Sequence, residues 1–218
     1  MFQILKKLFH KNVQIDGKGN TGNFYDFPKC QFKIIGSNNQ VNIDPSCRLS
    51  GNVLIYGDGN TLQIGQKSCL NGSIEIGQPE TLFSGHVISC KMEIGKRVYV
   101  GKSLIKMGED KTILTIGNDC AIASGTKIMC SDVHSILDKN GDVVNAAEKI
   151  KIGNHVWIGY DCKVLKNTTI PNDCVVAAGS IVTKVFDWAN CLIAGTPAKI
   201  VKHNISWDKR SPNLLVRE

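Results

Sequence analysis

Aromatic residues are scarce, at 6% of 218, so a core of this size must be filled mainly by Ile, Val, Leu and Ala. That scarcity excludes a domain organised around aromatic clusters. No stretch approaches the roughly 18 consecutive apolar residues that span a bilayer as a helix. In the first eleven residues, MFQILKKLFHK, Lys6 and Lys7 interrupt the apolar run, which argues against a secretory signal. The segment reads as a short amphipathic helix or lead-in, and the sharper alternative is weak peripheral contact with a membrane surface. No Cys-x-x-Cys occurs, and the nine cysteines are scattered singly from Cys30 to Cys191. They read as small, reduced core or turn residues of a cytoplasmic protein rather than as a disulfide framework. The net charge of +7 is spread without a long basic run or an aromatic-basic alternation, which disfavours nucleic acid as a partner. A mild positive field still suits a small anionic one.

What the chain does have is a period of six. Ile152, Ile158, Val164, Ile170, Val176 and Val182 follow one another at that interval without exception. A second series runs Ile64, Leu70, Ile76, Leu82, Ile88, Ile94, Val100, a third Ile116, Ile122, Ile128, and an early one Ile43, Leu49, Ile55. An amphipathic helix repeats at about 3.6 residues, and an ordinary strand alternates at 2 but does not continue for thirty residues. Each six-residue unit is therefore a short strand plus a turn. Gly often follows the aliphatic position, as in Ile94-Gly95, Ile152-Gly153 and Ile158-Gly159, which fits a backbone that bends at every unit. Three units make one triangular coil, and stacked coils bury the aliphatic column as a continuous core.

The period divides the chain into a lead-in at 1–12, a repeat domain at 13–186, and a C-terminal cap and tail at 187–218, the tail loosely ordered from about Ser206. Two interruptions break the phase. One, Ser103 to Thr112, is expected to be a small protruding loop; the other runs from about His134 to Lys149, where a polar segment leaves the column after Ile128. Loops that leave a rigid scaffold are where function concentrates.

From about Ile113 to Lys202 the motifs SDVHSI, HVWIGYDCKVL, IPNDCVVAAGSIVTK and AGTPAKIVK occur in order. In these stretches the chain resembles the hexapeptide-repeat acyltransferases, specifically the branch of galactoside, maltose and capsular polysaccharide O-acetyltransferases. The resemblance implies an all-β fold, a left-handed parallel β-helix that assembles as a homotrimer, with acetyl-CoA in the groove between neighbouring subunits. It also implies a saccharide acceptor.

Acetyl transfer from a thioester to an alcohol needs the hydroxyl proton removed as the oxygen attacks, which a neutral imidazole does near pH 7. His134, in the phase-breaking loop and at the family's catalytic position, is the expected base. Asp132 either orients it or is a solvated turn carboxylate. By resemblance the backbone amide of Tyr160 would stabilise the oxyanion, and Trp157 would shape the acceptor or thioester site. For coenzyme A, Gly159, Ala177 and Ala178 offer small side chains for pantetheine, Thr183, Lys184, Lys199 and Lys202 meet the phosphates, and Pro197 packs against adenine. His86 and His155 read as turn or surface residues, and His10 and His203 lie in terminal segments. A zinc hydratase on the same fold would need a close-spaced histidine pair, and no two histidines lie within fifteen residues. No metal is therefore expected. N-acetylation of an amino sugar is the nearest enzymatic alternative, and a non-catalytic scaffolding module the nearest other one.

Overall fold

A computed structural model describes residues 11–79 and 85–215. Its regular structure is strand, apart from two short 3-10 turns at Phe24–Asp26 and Pro212–Leu214. The strands stack in parallel as three faces of a prism. The first face carries Tyr99–Val100, Ala121–Ile122, Trp157–Ile158 and Val175–Val176, and the second carries Leu104–Met107, Lys127–Cys130, Lys163–Leu165 and Ile181–Val182. The third runs from Thr21–Gly22 through Lys149–Ile152 to Thr168–Ile170. The fold is a left-handed parallel β-helix. Its corners are made by left-handed residues such as Arg97, Asp119, His155, Asp161 and Asp173, conformations that polar side chains tolerate better than branched ones.

The aliphatic column fills the prism. Every member of the series from Ile152 to Val182 is buried, as are Ile43, Leu49, Ile55, Ile116, Ile122 and Ile128. Several cysteines serve as corner residues, their thiols donating to carbonyls of the next coil: Cys47 to Gly65 at 3.1 Å, Cys120 to Gly153 at 3.1 Å and Cys162 to Ala177 at 3.1 Å. All nine are free thiols.

Three expectations are corrected. Ile88 is exposed while Val87 is buried, because the segment before it is an insertion whose strand re-enters at a corner, pairing Val87 with Gly57; Leu82 lies outside the described residues. Ser103–Thr112 is no protruding loop. Leu104–Met107 is a strand of the second face with Ile105 and Met107 in the core, and only a tight turn at residues 108–111 shifts the phase, closed by Thr112 Oγ1 donating to the Glu109 carbonyl at 2.8 Å. The tail does not loosen at Ser206 either. Trp207 donates through Nε1 to the His155 carbonyl at 2.8 Å, and Lys209 reaches the Arg97 carbonyl at 3.0 Å. The lead-in reading of residues 1–10 falls outside the described residues.

Both ends of the prism are closed. Phe24 and Phe27 pack on Phe32 with ring centres 5.9 and 6.5 Å apart, so three buried phenylalanines close the N-terminal end. At the other end Cys191–Gly195 and Ala198–His203 form an antiparallel hairpin over the last coil. Such caps keep a stack of parallel coils from offering an open edge to another chain.

Candidate active site

The segment from His134 to Ala147 leaves the corner between the second and third faces as a short hairpin. Leu137 bridges Val143, and the Asp138 carboxylate closes the turn by accepting from the amides of Asn140 and Asp142 at 2.8 and 3.0 Å. Asn145 ties the two legs together. Its Oδ1 accepts from the Ile136 amide at 2.7 Å, and its Nδ2 donates to the His134 carbonyl and to Asp132 Oδ2, both at 2.9 Å.

Side chains from neighbouring coils hold this hairpin at its root, Asn167 among them through its Nδ2 bond to the Ala146 carbonyl at 3.1 Å. From the coil before it, Glu109 accepts from Ser131 Oγ and from the Ala147 amide, both at 2.8 Å. From the coil after it, the half-buried Lys166 ammonium donates to Asp132 and to the Asn145 carbonyl. Lys166 first, by its hydrogen bond, and then Asn145 hold the Asp132 carboxyl below its ordinary pKa. Asp132 is therefore a brace of the hairpin root, and its carboxylate is bound to Lys166 and Asn145. The His134 side chain is exposed and has no hydrogen-bond partner among the described residues. An imidazole on a fixed backbone with open ring nitrogens can accept a proton from a bound hydroxyl.

Tyr160 and Trp157 lie elsewhere on the prism. Trp157 begins a strand of the first face and is 43% exposed; Tyr160 sits in the turn from the first face to the second. Its carbonyl accepts from the Gly179 amide at 2.8 Å, whereas its own amide donates to no described residue. That leaves an N–H at a coil corner available to an anionic oxygen. His134 and Tyr160 thus leave different corners of the prism.

The turn Ala177-Ala178-Gly179 follows one coil above Tyr160. Ser180 Oγ donates back to the Ala177 carbonyl at 2.7 Å, and Gly179 has a φ of +73° with nothing within 4 Å of where a Cβ would sit. The surface above this turn is open. Gly159 is different: it is buried, and a Cβ there would meet the Ala178 amide nitrogen at 2.7 Å, so its lack of a side chain serves coil stacking. Thr183, Lys184, Pro197, Lys199 and Lys202 are all exposed at the C-terminal end. Lys184 lies over the Phe186 ring at 5.2 Å, and Lys199 and Lys202 project from the capping hairpin. No group of three His, Cys, Asp or Glu side chains placed to hold a metal ion occurs among the described residues, and no described helix is long and apolar enough to cross a membrane.

The chain matches the family model for the bacterial transferase hexapeptide (six repeats) over residues 149–184. It is 36% identical over 182 residues to the polysialic acid O-acetyltransferase of Neisseria meningitidis, a match covering 83% of this chain and 80% of the relative. It belongs to the hexapeptide-repeat O-acetyltransferases. Two solved structures agree over nearly the whole length. The polysialic-acid-specific acetyltransferase NeuO superposes with a TM-score of 0.79 at 30% identity, covering 92% of this chain and 89% of that one. The polysialic acid O-acetyltransferase OatWY gives 0.74 at 31% identity, covering 91% and 92%.

This O-acetyltransferase is therefore an acyltransferase whose hairpin, corners and cap match the sequence motifs in order. Sequence reasoning missed Glu109, Asn145 and Lys166, which hold the hairpin, and Trp207, which the tail brings back onto the coils. Each acts through a partner more than 10 residues away, and a single sequence offers no spacing rule for such pairs.

Proposed function

We propose that this enzyme transfers the acetyl group of acetyl-CoA directly to a hydroxyl of an acidic surface polysaccharide of the sialic acid class, with His134 as general base. The observation that carries the chemistry is the hairpin that fixes the His134 backbone from both flanking coils while leaving the imidazole open. The identity to a polysialic acid O-acetyltransferase supports the acceptor class.

In this reading the His134 imidazole takes the acceptor proton as the hydroxyl oxygen bonds to the thioester carbonyl carbon. The resulting oxyanion accepts from the Tyr160 amide, which has no acceptor of its own among the described residues. Collapse breaks the C–S bond, and the imidazolium returns its proton to the departing thiolate, leaving an acetyl ester and free coenzyme A. Trp157 shapes the acceptor side. Pantetheine lies over the open turn at Ala177, Ala178 and Gly179, beside Gly159, while Thr183, Lys184, Lys199 and Lys202 face the phosphates and Pro197 the adenine.

Because His134 and Tyr160 leave different corners, one chain supplies the base to one side and the oxyanion donor to another, and a site holding both is completed by a neighbouring copy. A homotrimer with the donor groove between subunits satisfies this. The nine free thiols suit a reducing cytoplasm.

The test is thiol release from acetyl-CoA by purified protein against a panel of glycans that includes polysialic acid. Polysialic-acid-dependent release, lost in His134→Ala, is expected, with light scattering reporting a trimer at assay concentration. Release with an amino sugar alone would move the reaction to nitrogen, and a fully active monomer would overturn the shared site.

A further inference from the structure

The C-terminal tail does more than end the chain. Beyond the capping hairpin it turns back towards the N-terminus and lies over the corner between the third and first faces. There the Trp207 indole stacks on the His155 imidazole, with ring centres 4.6 Å apart and planes 11° from parallel. His155 is itself held from behind, its Nδ1 at 2.9 Å from Asp173 Oδ1. The Trp207 Nε1 hydrogen bond to the His155 carbonyl fixes the indole in plane, and Lys209 anchors the next turn of the tail on Arg97. Trp207 is thus immobilised by a stack, a hydrogen bond and a downstream anchor, more than an aromatic residue needs merely to cover a corner.

What this placement achieves is proximity to Trp157. The two indoles lie with centres 6.0 Å apart and planes at 39°, and Trp157 remains 43% exposed beside its partner. Trp207 is half-buried, one of its faces covered by His155, so the open surface here is the Trp157 ring flanked by the rest of the Trp207 indole. Apolar surface left open in this way marks a binding surface more often than a structural one. Two tilted, preorganised rings present negative π faces, which attract the weakly positive C–H groups on one side of a pyranose ring. Rings already immobilised lose little entropy when they receive a ligand.

We propose that Trp207 is a specificity-determining residue for the acceptor: the tail delivers it to Trp157 so that the two indoles together form the surface on which a sugar ring of the acceptor stacks. This rests on the reading that Trp157 faces the acceptor. The tail is then part of the substrate site, and the chain's selectivity for a saccharide depends on a segment outside the repeats.

The experiment compares Trp207→Ala, Trp207→Phe and Trp157→Ala in the full-length enzyme, with acetyl-CoA as donor and polysialic acid as acceptor. Trp207→Ala is expected to raise the KM for polysialic acid about threefold to tenfold, the value of one lost ring contact, while kcat and the KM for acetyl-CoA stay within about twofold. Trp207→Phe, which keeps a ring without the Nε1 bond, is expected to recover most of the loss. Circular dichroism and light scattering establish that each variant is folded and assembled, and Trp207→Leu, which keeps apolar bulk but no ring and is expected to raise the acceptor KM as Trp207→Ala does, carries the comparison if the alanine variant is not. An unchanged acceptor KM in folded Trp207→Ala overturns the proposal, as does a rise confined to acetyl-CoA, which would place the ring at the donor. If Trp157→Ala raises the acceptor KM and Trp207→Ala does not, only this inference fails. If neither does, or if the wild-type enzyme does not turn over polysialic acid, the acceptor reading itself fails.

Discussion

The N-terminal and C-terminal coils solve the same problem in different ways. In the early coils the repeat is 21 residues, as from Asn39 to Asn60, and the strands Arg48–Asp58 and Cys69–Ile76 run through the corner between the first two faces, with Gly51 bending at a φ of +117°. Their interior corner carries a ladder of buried amides. Asn39 Nδ2 donates to Asn20 Oδ1 at 3.0 Å and to the Gly57 carbonyl at 2.8 Å, and Asn60 Nδ2 donates to Asn39 Oδ1 at 3.0 Å and to the Val87 carbonyl at 3.1 Å. In the last coils the repeat shortens to 18 residues, as from Asn154 to Asn172, each corner separates two short strands, and thiols and hydroxyls replace the amides. The difference teaches a division of labour. Early corners spend their polar groups on one another, whereas late corners leave the His134 imidazole and the Trp157 indole exposed and the Tyr160 amide without an acceptor among the described residues.

That comparison breaks most decisively at His134. Replacement by Ala is expected to lower kcat by roughly 10²-fold to 10⁴-fold, the usual worth of a general base, while the melting temperature and acetyl-CoA binding hold. Retained turnover in steady-state assays would remove the functional half of the contrast. The opposite behaviour is expected at Asn60. Asn60→Ala removes the side-chain partners of the Val87 carbonyl and the Cys90 amide inside the prism, while Asn39 Oδ1 keeps the backbone amide of residue 60, and is expected to cost about 3 kcal/mol of stability. Denaturant unfolding measures that loss, and kcat per folded enzyme should not move.

Lys166 stands between these extremes, since it braces the hairpin from the outside. Lys166→Met is expected to lower kcat about tenfold by loosening the segment that carries His134, with little change in global stability. It also sharpens a pH effect. Asp132 is depressed in the folded state, so its contribution is present above its ordinary value of about 4 and is lost as pH falls through its lower folded value. Limited proteolysis within the hairpin should rise over that acidic range in the wild type and already be high at neutral pH in the variant. The smallest effect belongs to the cap. Replacing Lys184, Lys199 and Lys202 together is expected to raise the KM for acetyl-CoA by about threefold to tenfold with kcat unchanged, because phosphates far from the reacting carbon keep their charge in the transition state. A pantetheine thioester lacking the nucleotide should be indifferent, and equal loss with both donors would make the lysines ordinary surface residues.

The coils were legible because their cause is local. An aliphatic residue every sixth position, followed by a residue able to turn, specifies a strand and a corner whatever its neighbours do, so Ile152 to Val182 could be placed in the core from the sequence alone. The same logic failed at Ile88 and at Ser103–Thr112, where insertions change the phase and the pairing partner, not the spacing, selects which residue faces inward. The hairpin could be located from the polar interruption after Ile128, and His134 from the motif around it.

By itself, then, the sequence determined the repeat, the prism it builds and the place where the chain leaves it, since each depends on side chains within a few residues of one another. Only the tertiary structure decided that Glu109 and Lys166 brace the hairpin from adjacent coils, that Asp132 serves Lys166, and that Trp207 returns to stack on His155 beside Trp157. Those contacts join residues 21 to 52 positions apart. A contact across coils is set by how insertions and corners bring distant positions into register, and a linear pattern records the spacing within a coil but not which coil a side chain will meet.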